Sequence, residues 1–151
     1  MQSLFDSFKA RAEAVSAEVH RFATHREAFD FVIDLLQEQG VSEVPGQGAL
    51  WADGSLLKGY ARKYLANEAT GLSFEVTRES AAQAKIGISQ VDWAVAATGT
   101  LVVDAAQVEQ RLVSTLPSIH VALVGTGRLR ADLPTVLPSI GNFSTSTLGF
   151  V

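Results

Sequence analysis

A chain of 151 residues, 47% hydrophobic and 19% charged, has the composition of a compact globular protein and lies far from that of a disordered one. Its formal net charge is −4 with the basic residues scattered, so it shows no electrostatic footprint for nucleic acid. It has no cysteine, which excludes disulfides, a thiol nucleophile and Cys-ligated iron–sulfur clusters in this chain. The apolar runs are too short to span a bilayer, and the charged, amphipathic start is unlike a signal peptide. The expectation is one cytoplasmic domain over residues 1–151.

Leu4, Phe5, Phe8, Ala12 and Val15 recur at helical spacing between Asp6, Lys9, Arg11 and Glu13. They predict an amphipathic helix over about residues 3–17, whose stripe must be laid on the domain itself or on a partner. Val19, Arg21 and Ala23 read as one short edge strand. Thr24-His25-Arg26-Glu27 is a capping box, in which the Thr24 hydroxyl accepts from the Glu27 amide and the Glu27 carboxylate reaches back. Ala28, Phe31, Val32, Leu35 and Leu36 continue one helical face, and Gly40 stands where a left-handed cap is wanted.

Val44-Pro45-Gly46-Gln47-Gly48 is a loop, and Ala49-Leu50-Trp51-Ala52 reads as a buried strand. Leu57, Tyr60, Ala61, Tyr64 and Leu65 predict a helix over Leu56–Asn67. Leu72–Thr77 alternates apolar with polar, as a half-exposed strand does. Ser80–Lys85 reads as a helical turn.

Ile86–Val124 is the centre of the chain. Val91–Ala96, Leu101–Val103 and Ile119–Val124 are Val- and Ile-rich runs bounded by Gly, Thr, Pro and Ser, the pattern of strands covered on both faces. Ala97-Thr98-Gly99-Thr100 supplies a tight turn with a glycine able to take positive φ. Asp104 is placed to cap the segment beginning at Ala105. Gly125-Thr126-Gly127 then precedes Leu129–Val136, which reads as a short helix interrupted by Pro134. Strands alternating with helices predict an α/β layered domain with a largely parallel sheet.

Several residues carry candidate chemistry. Thr98-Gly99-Thr100 offers two hydroxyls and a bare backbone at a strand end, where α/β sheets hold ligands; it also reads as a plain hairpin turn. Gly125-Thr126-Gly127 sits where phosphate loops occur, but the third glycine of the dinucleotide fingerprint is replaced by Arg130. Arg128 and Arg130 are placed to neutralise an anion such as a carboxylate or phosphate. Asp92 is an acid inside the apolar centre: buried, it needs a partner or a raised pKa, and exposed, it is a turn acid. The sequence leaves both open. Ser89 lies in Gly87-Ile88-Ser89-Gln90-Val91, where Val91 breaks the G-x-S-x-G elbow, so no serine nucleophile is expected. His20, His25 and His120 have no metal-ligand spacing, and His120 near the start of an apolar strand reads as a hydrogen-bonded structural histidine. No metal and no cofactor are expected in this chain.

The run G-I-S…D-W-A-V-A-A-T-G-T-L-V-V, followed by R-L-V-S-T-L-P-S-I-H-V-A-L-V, resembles the centre of the LUD-domain (DUF162) proteins, most closely the lactate utilization protein C branch. That family carries A-E-T-G-T-x-V and then S-x-L-P-x-x-H; here Ala97 stands where the family has an acid, while His120 matches its histidine, and the resemblance thereby keeps His120 a ligand-binding candidate. The resemblance implies a NagB/RpiA/CoA-transferase-like layered fold. It further implies an accessory, non-redox role in an L-lactate utilization system whose partner proteins carry the iron–sulfur clusters. The alternatives are a small sugar-phosphate or CoA-ester enzyme of that superfamily, and a plain anion-binding or interaction domain. Similar proteins continue through G-P-S-x-T-A-D-I-E and G-x-H-G-P segments that are missing here, so the C-terminal end is expected to be incomplete.

Overall fold

The computed structural model describes residues 2–59, 61–104, 106–140 and 148–150. In chain order it contains α1 (Leu4–Glu13), α2 (His25–Glu38), β1 (Ala49–Trp51), α3 (Ala61–Glu68), β2 (Leu72–Ser73), α4 (Arg78–Gln83) and β3 (Ile86–Gln90). There follow β4 (Trp93–Val95), β5 (Thr100–Asp104), α5 (Val108–Thr115), β6 (Ile119–Leu123), β7 (Leu129–Arg130), α6 (Leu133–Val136) and β8 (Leu148–Phe150). The fold is α/β, and the chain forms two compact units, each assembled from separated segments. No helix among the described residues is long and apolar enough to cross a membrane.

One unit comprises Arg21–Gln90 and Val108–Ala122. Its sheet has the order β2-β1-β3-β6, and β1 runs parallel to both β2 and β3. The Ile119 amide bonds the Lys85 carbonyl at one end of β6 and the Val91 amide bonds the Leu123 carbonyl at the other, so β6 runs the same way. Helix α2 begins at the expected capping box, with the Glu27 amide donating to Thr24 Oγ1 at 3.2 Å and the Thr24 amide to Glu27 Oε2 at 3.2 Å. It ends in a Schellman turn: Gly40 has φ +72°, Val41 N–H bonds the Leu36 carbonyl and Gly40 N–H the Gln37 carbonyl. Its buried stripe is Phe29, Val32, Ile33 and Leu36, rotated from the expected face. Phe31 is only half-buried and packs on Phe22, while Phe29 meets Trp51 edge-on at 5.8 Å.

Helix α5 lies hard against β3. A Cβ at Gly87 would fall 2.0 Å from the Val113 carbonyl oxygen, so only glycine permits this approach, and Val113 joins Leu50, Ala52 and Ala81 in one buried cluster. The expected strand Leu72–Thr77 shrinks to Leu72–Ser73, because Thr77 turns to cap α4 with Ser80. The expected helix over Leu56–Asn67 is split into a 3-10 turn, Ser55–Leu57, and α3; Tyr60 lies outside the described residues. No strand forms over Val19–Ala23. Strand β6 is half-exposed along its whole length, because it occupies the sheet edge where burial on both faces had been expected.

The other unit comprises Met1–His20, Val91–Gln107 and Leu123–Val151. Its sheet, β7-β4-β5-β8, is mixed: β4 pairs parallel with β7, whereas β4–β5 and β5–β8 are antiparallel. The parallel expectation thus holds for the first sheet, while the tight turn after Ala97 makes β4–β5 a hairpin. Helix α1 stops at Glu13, short of the expected 17, and Ser16 takes φ +71°. Phe8 and Ala12 pack on Ala94 and Ala96, whereas Val15 is 78% exposed. Of the expected stripe, Phe8 and Ala12 are thus buried within the chain, while Leu4 and Val15 stay exposed. Pro134 sits in the first turn of α6, where it costs no hydrogen bond; it starts a short helix instead of interrupting a long one. The expectation for the C-terminal end falls largely on residues 141–147 and 151, outside the described residues.

Candidate functional site

In the parallel sheet, strand order reverses between β1 and β3, and open α/β sheets hold ligands beyond the carboxyl ends of strands at such a point. Here those ends are tied together. The Gln90 side chain accepts from the Leu56 amide at 3.1 Å and donates to Ser55 Oγ at 2.7 Å. Gln110, 5% exposed on α5, accepts from the Gln90 amide at 3.0 Å and donates to the Asp53 carbonyl at 2.6 Å. Both amide side chains are spent on holding loop, strand and helix together. Sequence reasoning passed over both, although Gln110 interrupts the apolar stripe of α5, and a polar residue there needs a buried partner.

One residue back along β3, Ser89 Oγ lies 2.7 Å from His120 Nε2. Burial holds the imidazole below its usual pKa, so the neutral ring is favoured. Ser89 is 0% exposed, so no substrate carbon reaches its hydroxyl. No buried side-chain nitrogen or oxygen among the described residues lacks a partner. The pair is a part-buried hydrogen bond between β3 and β6.

In the mixed-sheet unit, the Thr98-Gly99-Thr100 turn closes β4–β5 with Gly99 at φ +69°. The Gly99 amide bonds the Val95 carbonyl at 2.9 Å, and Thr98 Oγ1 donates to Thr100 Oγ1 at 2.8 Å. A Cβ at Gly99 would fall 2.7 Å from the Ala12 amide nitrogen. The bare backbone at this turn is occupied by α1, and its polar groups bond one another.

The opposite end of the hairpin is different. Asp92 is half-buried and accepts from the Asp104 amide through Oδ2 at 2.8 Å. Burial raises its pKa above the ordinary carboxylate value, against the lowering pull of that hydrogen bond and of the Arg128 charge. Asp104 bonds the Ala106 amide in a local turn, and α5 begins only at Val108, so Asp104 is no helix cap. Arg128 and Arg130 both place their guanidinium groups on the Trp93 indole, 4.6 and 4.5 Å from its centroid. Their charges therefore lie no more than about 9 Å apart, a repulsion of at least about 0.5 kcal/mol in water and about 2 kcal/mol at an effective dielectric of 20.

Gly125-Thr126-Gly127 leads into this corner. Residues Thr126–Arg128 form a 3-10 turn followed by the two-residue β7, so the expected helix starts only at Leu133, away from this loop, and the loop offers no phosphate site of the helix-N-terminus kind. Gly125 has φ −66°, and a Cβ at Gly127 would meet nothing within 4 Å; open space, not backbone strain, marks the loop. Of the candidates, Asp92, Arg128 and the Gly125–Gly127 loop come together, joined by Trp93 and Arg130. Thr98, Gly99 and Thr100 lie at the far end of the hairpin, on the order of 15–20 Å along the strand. His120 belongs to the other unit. Among the described residues no three His, Asp or Glu side chains gather as a metal site would require.

A family profile described as the LUD domain matches residues 5–149. The crystal structure of a DUF162 family protein from Deinococcus radiodurans is similar at 14% identity and a TM-score of 0.47, over 86% of this chain and 89% of that one. No curated protein matches.

Proposed function

The chain belongs to the LUD-domain family, and from that premise we propose that it is an accessory, non-redox component of an L-lactate utilization system. The observation that carries this reading is the family match, which spans nearly the whole chain. The sequence has no cysteine, so electrons leaving lactate would pass to iron–sulfur clusters held by partner proteins. The test is genetic and biochemical. Cells deleted for the gene should fail to grow on lactate and grow normally on glucose, and lactate oxidation in vitro should need this chain together with a cluster-bearing protein. Normal growth of the deletion strain on lactate, with no second copy present, refutes the role.

A second reading is supported by one observation, the corner where Asp92 lies near Arg128, which shares the Trp93 indole with Arg130. A half-buried acid next to an anion anchor is the minimum an enzyme acting on a phosphorylated or CoA-linked small molecule needs. Against it, Asp92 Oδ2 is already engaged by the Asp104 amide, and Ala97 replaces the acid of the family motif. Turnover of a sugar phosphate or CoA ester by the lone protein would favour this second reading over the first.

A further inference from the structure

A solvated arginine samples many rotamers and turns to a carboxylate when one is in reach. Arg128 and Arg130 do neither. Both are held on one indole, and Arg130 is fixed further by Nη1 hydrogen bonds to the carbonyls of Gly127 and Leu129 at 2.9 and 3.0 Å. Among the described residues the ion pairs involve Lys9, His20 and Arg26, so no carboxylate lies within 4.0 Å of Arg128 or Arg130. Asp92 is near enough to feel the Arg128 charge, yet its Oδ2 is directed to the Asp104 amide. Among the described residues, then, neither guanidinium at this corner has an ion-pair partner.

We propose that Arg128 and Arg130, held on Trp93, bind a small dianionic ligand, a phosphate ester or a dicarboxylate. The charge count selects the class. A monocarboxylate neutralises one guanidinium, whereas a dianion answers both, and the planar forks are suited to paired oxygens. Holding the groups on the indole removes side-chain freedom before the ligand arrives, which lowers the entropy lost on binding. The approach is open: Arg128 and Thr126 are exposed, and a Cβ at Gly125 would meet only Arg128 Cγ, at 3.9 Å. The proposal stands on these residues and does not rest on the lactate reading.

The test is calorimetric titration of the whole chain at fixed ionic strength with phenyl phosphate, malonate, lactate and chloride. Saturable binding of phenyl phosphate or malonate is expected, with Kd at or below about 1 mM and at least about ten-fold tighter than lactate. Whichever dianion binds identifies the source, and either supports the site. Arg128→Gln, at an exposed position, should weaken that dianion several-fold, and the Arg128→Gln/Arg130→Gln pair should abolish its binding with the far-ultraviolet spectrum unchanged. Arg128→Lys, which keeps the charge and loses the fork, should retain part of the affinity. Absence of saturable binding by both dianions overturns the proposal. So does equal binding of lactate or chloride, or an affinity indifferent to Arg128→Gln.

Discussion

Gly87→Ala is the sharpest single test of how the parallel-sheet unit is built. The added Cβ would lie 2.0 Å from the Val113 carbonyl oxygen and 2.8 Å from Pro117 Cγ, where ordinary contact begins at 3.4 Å. The first obstacle is backbone inside α5, so no side-chain rotation relieves it. Helix α5 must retreat by about 1.4 Å, and that lifts fully buried Val113 out of its cluster with Leu50, Ala52 and Ala81. Overpacking of this kind costs about 1–3 kcal/mol, and a backbone-to-backbone clash belongs at the upper end. A loss of about 3 kcal/mol moves the urea midpoint by about 1.5 M when m is near 2 kcal/mol/M. It lowers Tm by roughly 6–12 °C for a chain of this length. Trp51, buried in the same unit, reports the transition by fluorescence in a Trp93→Phe background. Gly127→Ala is the control, since its Cβ meets nothing within 4 Å. A Gly87→Ala midpoint within about 0.3 M of the parent refutes the close approach of α5 to β3.

Three further outcomes are expected. Gly99→Ala combines φ +69° with a Cβ 2.7 Å from the Ala12 nitrogen, and should cost about 1–3 kcal/mol in a chemical denaturation curve, with α1 more open to proteolysis; unchanged stability and cleavage would show that α1 does not pack on this turn. Asp92 has its pKa raised chiefly by burial, so the folded state disfavours its ionised form and loses stability as pH rises from its ordinary value through the raised one. Asp92→Asn keeps an acceptor for the Asp104 amide, and at pH 7 its unfolding midpoint should equal or exceed the parent's; a clear decrease would mean that ionised Asp92 is stabilising. His120 has its pKa lowered by burial, so its contribution is complete above the unfolded value of about 6.5 and is lost as pH falls through the folded one. Stability should therefore decline below about pH 6.5, and His120→Gln should flatten that decline; an identical pH profile in the variant would show that His120 does not titrate with folding.

Much of this protein is local and was legible in the sequence. The Thr24–Glu27 box, the Gly40 cap and the positive φ of Gly99 are decided by side chains and backbone within four residues of one another, so residue type alone determines them. The apolar runs through Ile86–Val124 identified the strands, and two motifs in order identified the family. What strand periodicity does not contain is which strand lies at an edge. Val- and Ile-rich β6 looked buried on both faces, and sheet order alone placed it half-exposed. Nor does it contain long-range pairing: Gln90 meets Gln110, and Ser89 meets His120, across separations that only the folded chain closes. The candidate site divides for the same reason. Thr98-Gly99-Thr100 and Gly125-Thr126-Gly127 look alike as glycine turns, but α1 packs on the first and leaves the second open. Tertiary packing likewise brought two arginines onto Trp93, turning scattered charges into a single cationic corner.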